Sequence, residues 1–360
     1  MNIDKEMEAV VAYGPKDYRL KRVPTPVINT NELLLEVKGC GICAGDVKCF
    51  QGTEMFWGGE FFPPYVKAPV IAGHEFYGQI ARIGEQLEAS TNLHAGDFIT
   101  SEQIIPCGKC KYCMTGKYWM CEVHNIRGFQ RDVAEGGMAR YLKLSSLDRI
   151  HKLPTVEPDI KWTMVEPLAC AIHVVERAKI GFNDVVVLAG LGPIGLCILQ
   201  VCKLKNPKLI IALDIKCERL ELGKKLGADM VLNPLEEDVI KKVKDITGGY
   251  GCDIYIDNTG SPKAVVQGLE MIRKLGTFVE FSVFSEPTKV DWSIIGDRKE
   301  LNIYGVHLSP YTFPTAINFL DKNVVVVKDI ITHTFKLSEH KKAFETAASK
   351  EGSLKVVLVP

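Results

Sequence analysis

The run Val185–Cys202, VVVLAGLGPIGLCILQVC, carries no charged residue. Its length alone would suit a membrane span. The Gly-Leu-Gly-Pro-Ile-Gly at its centre reads instead as a tight turn between a buried strand and a helix. Gly190, Gly192 and Gly195 stand in Gly-x-Gly-x-x-Gly spacing, with Pro193 and Ile194 opening the helix. A second apolar strand, LIIALD, ends in Asp214, nineteen residues beyond Gly195. Strand, glycine turn, helix, strand and acid together define a dinucleotide site. Gly190 permits the turn, Gly192 lets the backbone approach a diphosphate, and Gly195 lets helix and strand pack closely. The helix N-terminus turns unpaired N–H groups toward the phosphates. Asp214 is placed to accept hydrogen bonds from the adenosine ribose, and its charge would repel a 2′-phosphate. NAD is therefore expected over NADP. Arg219, one helical turn on, is equally a cover for adenine or a solvated side chain.

Outward from this run the chain continues in the same manner. DVVVLAG, KLIIALD, MVLN, CDIYIDNTG, GTFVEFSV and NIYGV alternate with helical stretches such as KAVVQGLEMIRKLG. Six apolar strands alternating with helices predict a doubly wound parallel sheet, an α/β Rossmann domain. Residues 1 to about 158 differ. Short β-type runs punctuated by Gly and Pro predict a mostly β domain there. The boundaries expected are 1–158 for that domain, 159–303 for the dinucleotide domain, and 304–360 for a return to the first.

Composition narrows the function. The 360 residues carry 44 Lys+Arg and 44 Asp+Glu, so the formal net charge is zero. That argues against nucleic acid or an anionic membrane as partner and for a small polar substrate. The N-terminal residues have no apolar signal region, so a cytoplasmic protein is expected. Twelve cysteines then favour metal ligands or buried thiols over disulfides.

Four of those cysteines form a cluster. CGKCKYCMTGKYWMC sets Cys107, Cys110, Cys113 and Cys121 in a polar lobe spanning about 102–125. Four thiolates close a tetrahedral zinc shell and leave no position for substrate. An iron–sulfur cluster is the main competitor, and a redox dithiol the other. A second ligand set is more open. Cys43 follows a β-type run, AGHEFYG supplies His74 and Glu75, and MVEPLACAIH supplies Glu166. A thiolate, an imidazole and carboxylates can bind zinc and leave one position for water or substrate. None of these residues is diagnostic alone: a lone His is more often a core residue, and Glu166-Pro167 can simply start a helix.

Taken in order, GCGICAGD around Cys43, GHEFYGQIARIG, the cysteine lobe, EPLACAIH and GLGPIG with Asp214 resemble the zinc-dependent medium-chain alcohol dehydrogenase family. The resemblance covers nearly the whole chain. It implies a GroES-like catalytic domain split around a Rossmann domain, with the active site in the cleft and two zinc ions per chain. It implies that Cys43, His74 and Glu75 match the catalytic-zinc positions, and that Glu166 reaches zinc directly or through water, as in polyol dehydrogenases. CAGDVKCF and EMFWGG resemble the erythritol/L-threitol dehydrogenases of that branch. A homodimer or homotetramer pairing Rossmann sheets edge to edge is implied as well. L-threonine, cyclitol or sugar dehydrogenases, a metal-free NADPH reductase and a non-enzymatic zinc-ribbon module are the alternatives.

One departure stands out. Many relatives carry Ser or Thr two residues after the zinc cysteine and His three further on. Here those places are Gly45 and Lys48. A water held by Glu166 or Lys48 is the expected substitute in proton transfer, while a solvated Lys48 is the plainer reading. Asp46 is expected to brace the loop. Phe56 and Trp57 are candidates for a substrate-pocket wall, against an exposed loop.

Overall fold

The computed structural model describes residues 3–60, 62–349 and 351–360. The chain divides into two compact units. One runs as far as Glu166 and resumes at Phe313–Pro360; the other is Pro167–Thr312.

The second unit is built on six parallel strands. In spatial order they are Met230–Leu232, Leu209–Leu213, Val185–Ala189, Cys252–Asp257, Ile272–Glu280 and Asn302–Gly305. Numbered along the chain this is 3-2-1-4-5-6, the doubly wound order. Val185–Ala189 is buried at every residue, as a central parallel strand covered on both faces requires. Helices Pro193–Leu204, Cys217–Lys225, Val239–Ile246 and Pro262–Met271 connect the strands. The uncharged run of Val185–Cys202 is thus shared between a strand and a helix. Among the described residues no helix is long and apolar enough to cross a membrane.

One sequence expectation fails here. The stretch KAVVQGLEMIRKLG is not helical throughout: the helix stops at Met271, and Ile272 begins a strand that runs to Glu280. Lys299 Nζ donates to the carbonyls of Leu269, Glu270 and Ile272 at 2.6, 3.0 and 2.7 Å, satisfying the helix end. Ile272 then pairs with Cys252, and Leu275 takes a left-handed φ of 60° that no helix continues through.

The first unit is mostly β. Its seven-stranded sheet has Glu32–Ile42 near the middle, flanked by Glu75–Ile83 and Lys355–Val359, both antiparallel to it. Phe98–Ser101, Ile150–Lys152, Tyr141–Ser145 and Ile331–Lys336 complete it. The C-terminal strand therefore belongs to the sheet that carries Cys43. Arg127 and Asp148 form a buried ion pair in this unit, with Arg127 Nε donating to Asp148 Oδ1 at 2.8 Å and Nη1 to the Glu135 carbonyl at 3.0 Å.

The ends of two parallel strands set two acids side by side: Asp257 pairs in register with Glu280. Asp257 Oδ2 and Glu280 Oε1 are buried without hydrogen-bond partners. Burial, and then the Asp257 charge, push Glu280 up to about 7. A carboxyl raised in the folded state makes folding weaker as pH rises from the ordinary Glu value toward 7. Glu280→Gln should therefore be more stable than the parent at pH 8. The advantage should vanish below about pH 4.5, near the ordinary Glu value. Urea unfolding at the two pH values measures it, and a pH-independent difference would contradict it.

Candidate active site and metal centres

Strand register assembles the first site. Gly41 pairs with Glu75 on one side and with Val357 on the other, and Ile42 pairs with Val356. Cys43, Glu75 and Lys355 consequently meet at one end of three adjacent strands. Lys355 Nζ lies 2.8 Å from Glu75 Oε1 and 2.5 Å from Oε2, and donates to the Ile42 carbonyl at 3.3 Å. Lys355 and Glu75 are 2% and 0% exposed, so each charge requires the other. A Cβ on Gly41 would sit 2.2 Å from Glu75 Oε2, so only glycine leaves room for this carboxylate.

Cys43 caps the helix Ala44–Gln51. Its N–H donates to Asp46 Oδ2 at 2.9 Å, and Gly45 N–H donates to its sulfur at 3.4 Å. Asp46, 1% exposed, also places Oδ1 3.4 Å from His74 Nδ1. Ligand atoms of Cys43, His74 and Glu75 all lie within 4.8 Å of one another. Burial, and next the Glu75 charge, push the Cys43 thiol up. Burial alone would lower His74, yet Asp46 and Cys43 hold it well above its usual value. For Lys355, burial opposes the charge, and Glu75, Cys43 and Glu166 together outweigh it. A soft thiolate, an imidazole and a carboxylate converging in a buried place suit zinc.

Glu166 stands on the first turn of the helix Val165–Ala178 and is 6% exposed. It is outside the three-ligand group. Gln103, also buried, donates Nε2–H to Glu166 Oε1 at 2.6 Å. Lys48 is half-buried on the last turn of the Cys43 helix. Trp57 is half-buried and donates Nε1–H to the Cys49 carbonyl at 2.7 Å. Phe56 is buried and stacks on Phe129, centroids 5.5 Å apart, while Phe129 lies 5.7 Å from the His74 ring. Phe129, not Phe56, is therefore the aromatic side chain against the histidine. Cys40 and Cys49 are buried and packed, and Cys49 sulfur accepts from Tyr18 Oη at 3.3 Å.

The ligand atoms of Cys107, Cys110, Cys113 and Cys121 also converge within 4.8 Å. Backbone N–H groups point at the sulfurs: Cys107 N–H donates to Cys121 at 3.3 Å and Cys110 N–H to Cys107 at 3.4 Å. Backbone N–H groups of Cys113 and Glu122 bring Cys110 down to about 6, while burial and Cys110 push Cys113 up to about 12. N–H groups trained on sulfur favour thiolate, the form a metal binds.

In the dinucleotide unit Gly190 has a φ of 95°, and a Cβ on Gly195 would lie 2.0 Å from the Gly190 carbonyl oxygen. A Cβ on Gly192 meets no protein atom within 4 Å, which leaves open space where a diphosphate would approach. Asp214 is fixed by the N–H groups of Leu191 at 2.7 Å and Lys216 at 2.9 Å, each taking one oxygen. Lone pairs remain for ribose hydroxyls. Arg219 is half-buried on the helix Cys217–Lys225.

Sequence reasoning missed Gln103, Lys355, Phe129 and Gly41. Gly41 lay in the glycine-rich GCGIC stretch, but nothing local marked the other three.

A mostly β unit with two cysteine-bearing groups that could hold a metal, and a doubly wound nucleotide unit, together fit a metal-dependent dehydrogenase. Two domain families match: an alcohol dehydrogenase GroES-like domain over residues 29–155 and a zinc-binding dehydrogenase domain over 193–322. Erythritol/L-threitol dehydrogenase of Mycolicibacterium smegmatis is 43% identical over 358 residues, covering 99% of each chain. Sorbitol dehydrogenase of Halalkalibacterium halodurans is 32% identical, covering 98% of this chain and 99% of the other. A solved alcohol dehydrogenase from E. coli CFT073, complexed with NADH, is 27% identical with a TM-score of 0.87, covering 99% and 100% of the two chains. The chain belongs to the zinc-dependent medium-chain alcohol dehydrogenase family.

The glycine turn gives a direct check. Gly192→Ala should leave stability unchanged yet weaken NAD binding about tenfold, roughly 1.4 kcal/mol. Gly195→Ala should lower thermal stability as well. Thermal melts and NAD titration separate the two, and equal stability losses would count against the diphosphate position.

Proposed function

We propose that this dehydrogenase oxidises a secondary hydroxyl of a small polyol, threitol, erythritol or a sorbitol-like compound, to a ketose with NAD as acceptor. The observation that carries the reading is the ligand group Cys43, His74 and Glu75. It offers a metal three protein ligands and leaves a place for a substrate oxygen. The full-length likeness to an erythritol/L-threitol dehydrogenase supports the polyol class. Asp214 supports NAD over NADP, because a fixed carboxylate repels a 2′-phosphate.

A bound zinc supplies Lewis acidity that lowers the pKa of the substrate hydroxyl, and NAD accepts the hydride. Cys43 and His74 hold the metal, with His74 oriented by Asp46. Lys355 balances the charge that Glu75 brings beside the thiolate. Phe56 and Trp57 shape a wall of the substrate pocket. The four cysteines hold the second, structural zinc. Arg219 covers the adenine. We place the protein in the cytoplasm, where thiols stay reduced for metal binding. Asn302–Gly305, at one edge of the parallel sheet, is the strand through which we propose two copies pair as a dimer or within a tetramer.

Proton transfer has no hydroxyl at position 45. A Cβ there would meet only the Cys43 sulfur, at 3.8 Å, so room remains for water. We assign Lys48 to hold that water. Lys48→Met should lower kcat and displace the alkaline limb of its pH profile. An unchanged profile would remove Lys48 from the reaction.

An NAD-reduction screen across C4 to C6 polyols, cyclitols, aldoses and L-threonine tests the substrate class. Polyols should be turned over with the highest kcat/KM, and Trp57→Ala should raise KM for them. Activity confined to L-threonine or aldoses would overturn the polyol reading, and unaltered KM would exclude Trp57 from the pocket.

A further inference from the structure

Gln103 belongs to no ligand set and to no sequence motif, yet the fold fastens it on several sides. Its side chain is buried and donates to Glu166 Oε1 at 2.6 Å. Its carbonyl accepts from Arg127 N–H at 2.9 Å. Arg127 is itself locked by the buried pair with Asp148. The preceding residue, Glu102, is 1% exposed and accepts from Tyr118 Oη at 2.8 Å, from Arg149 Nε at 3.1 Å and lies 3.2 Å from His151 Nε2. Tyr118 sits inside the four-cysteine lobe, between Cys113 and Cys121. Residues 102–103 are thus anchored from both sides. A buried amide must have partners, and one of them here is a short, charge-assisted bond to Glu166 Oε1.

We infer that Gln103 is a positioning residue that holds one carboxylate oxygen of Glu166 and so keeps Glu166 from chelating the catalytic metal through both oxygens. The inference rests on the zinc-site reading proposed above. Its physical content is competition for coordination positions. A carboxylate free to use both oxygens can chelate a cation and fill the place a substrate hydroxyl needs. A carboxylate with one oxygen committed to an amide cannot. The surroundings favour such control: Glu75 is already bound to Lys355, and Glu166 also contributes to the charge held on Lys355. Glu75 and Glu166 are therefore both held by protein groups rather than left to move. The four-cysteine lobe acquires a role in this arrangement, since Tyr118 steadies the main chain that bears Gln103.

The test uses the full chain with zinc at the four-cysteine site and cobalt(II) at the Cys43 site. Gln103→Met keeps the side-chain length and removes the donor. It should weaken the visible d–d absorption of cobalt, the signature of an added oxygen ligand. It should also slow metal release to a chelator and raise KM for the polyol about tenfold with a smaller change in kcat. Gln103→Asn, which withdraws the amide by one methylene but stays polar, should shift the spectrum the same way and serves if the Met variant folds poorly. In a Glu166→Gln background the Gln103 substitutions should add nothing to spectrum or release rate. Spectra and release rates matching the parent in the Met and Asn variants would overturn the positioning role. A parent protein that takes up only one equivalent of metal would instead overturn the zinc-site reading beneath it.

Discussion

The buried ion pair between Lys355 and Glu75 is the constraint around which the catalytic unit is arranged. An ammonium and a carboxylate at 2% and 0% exposure are tolerable only together. Their meeting requires three strands in one register, with Gly41 leaving the space. The same register brings Cys43 to the end of its strand and Glu75 beside it. His74 precedes Glu75, so the imidazole arrives with the carboxylate. The helix begun by Cys43 then delivers Asp46 back to the Cys43 N–H and toward His74. One electrostatic requirement, met by strand pairing, thus sets the donor group.

A second layer of polar side chains fixes those donors. Gln103 takes an oxygen of Glu166, Asp46 faces His74, and Lys355 spans Glu75. None of the three is needed to name a zinc site, yet each restricts how a ligand can move. The four-cysteine lobe connects to the same layer through Tyr118 and Glu102. Its metal chemistry is separate, but its packing is not.

The sequence told unequal amounts about these layers. Six apolar strands alternating with helices stated the dinucleotide unit, and the fold differs mainly at Ile272, where a distant lysine caps a helix that local propensity would have extended. The four cysteines were legible because ligand spacing within a motif is a local property, whereas Cys43 and His74, in separate segments, were singled out through the family resemblance. Lys355, Gln103 and Phe129 were not. Lys355 lies 280 residues from Glu75, and in sequence it reads as one more surface lysine at a strand start. Gln103 and Glu166 are 63 apart, and an amide carries no motif. Partners chosen by tertiary contact leave no periodicity to read.

The distance in sequence between Cys43 and Lys355 also orders events in time. As the chain is made, the thiol, imidazole and carboxylate leave the ribosome first, and the whole nucleotide unit follows before the strand that carries the ammonium. Until that strand docks, Glu75 has no buried counter-charge, and the sheet cannot close over the site at no electrostatic cost. The donor group of Cys43, His74 and Glu75 therefore gains its buried counter-charge only after the nucleotide unit has been synthesised. A chain truncated before Lys355 would present metal donors without the charge that keeps them inside.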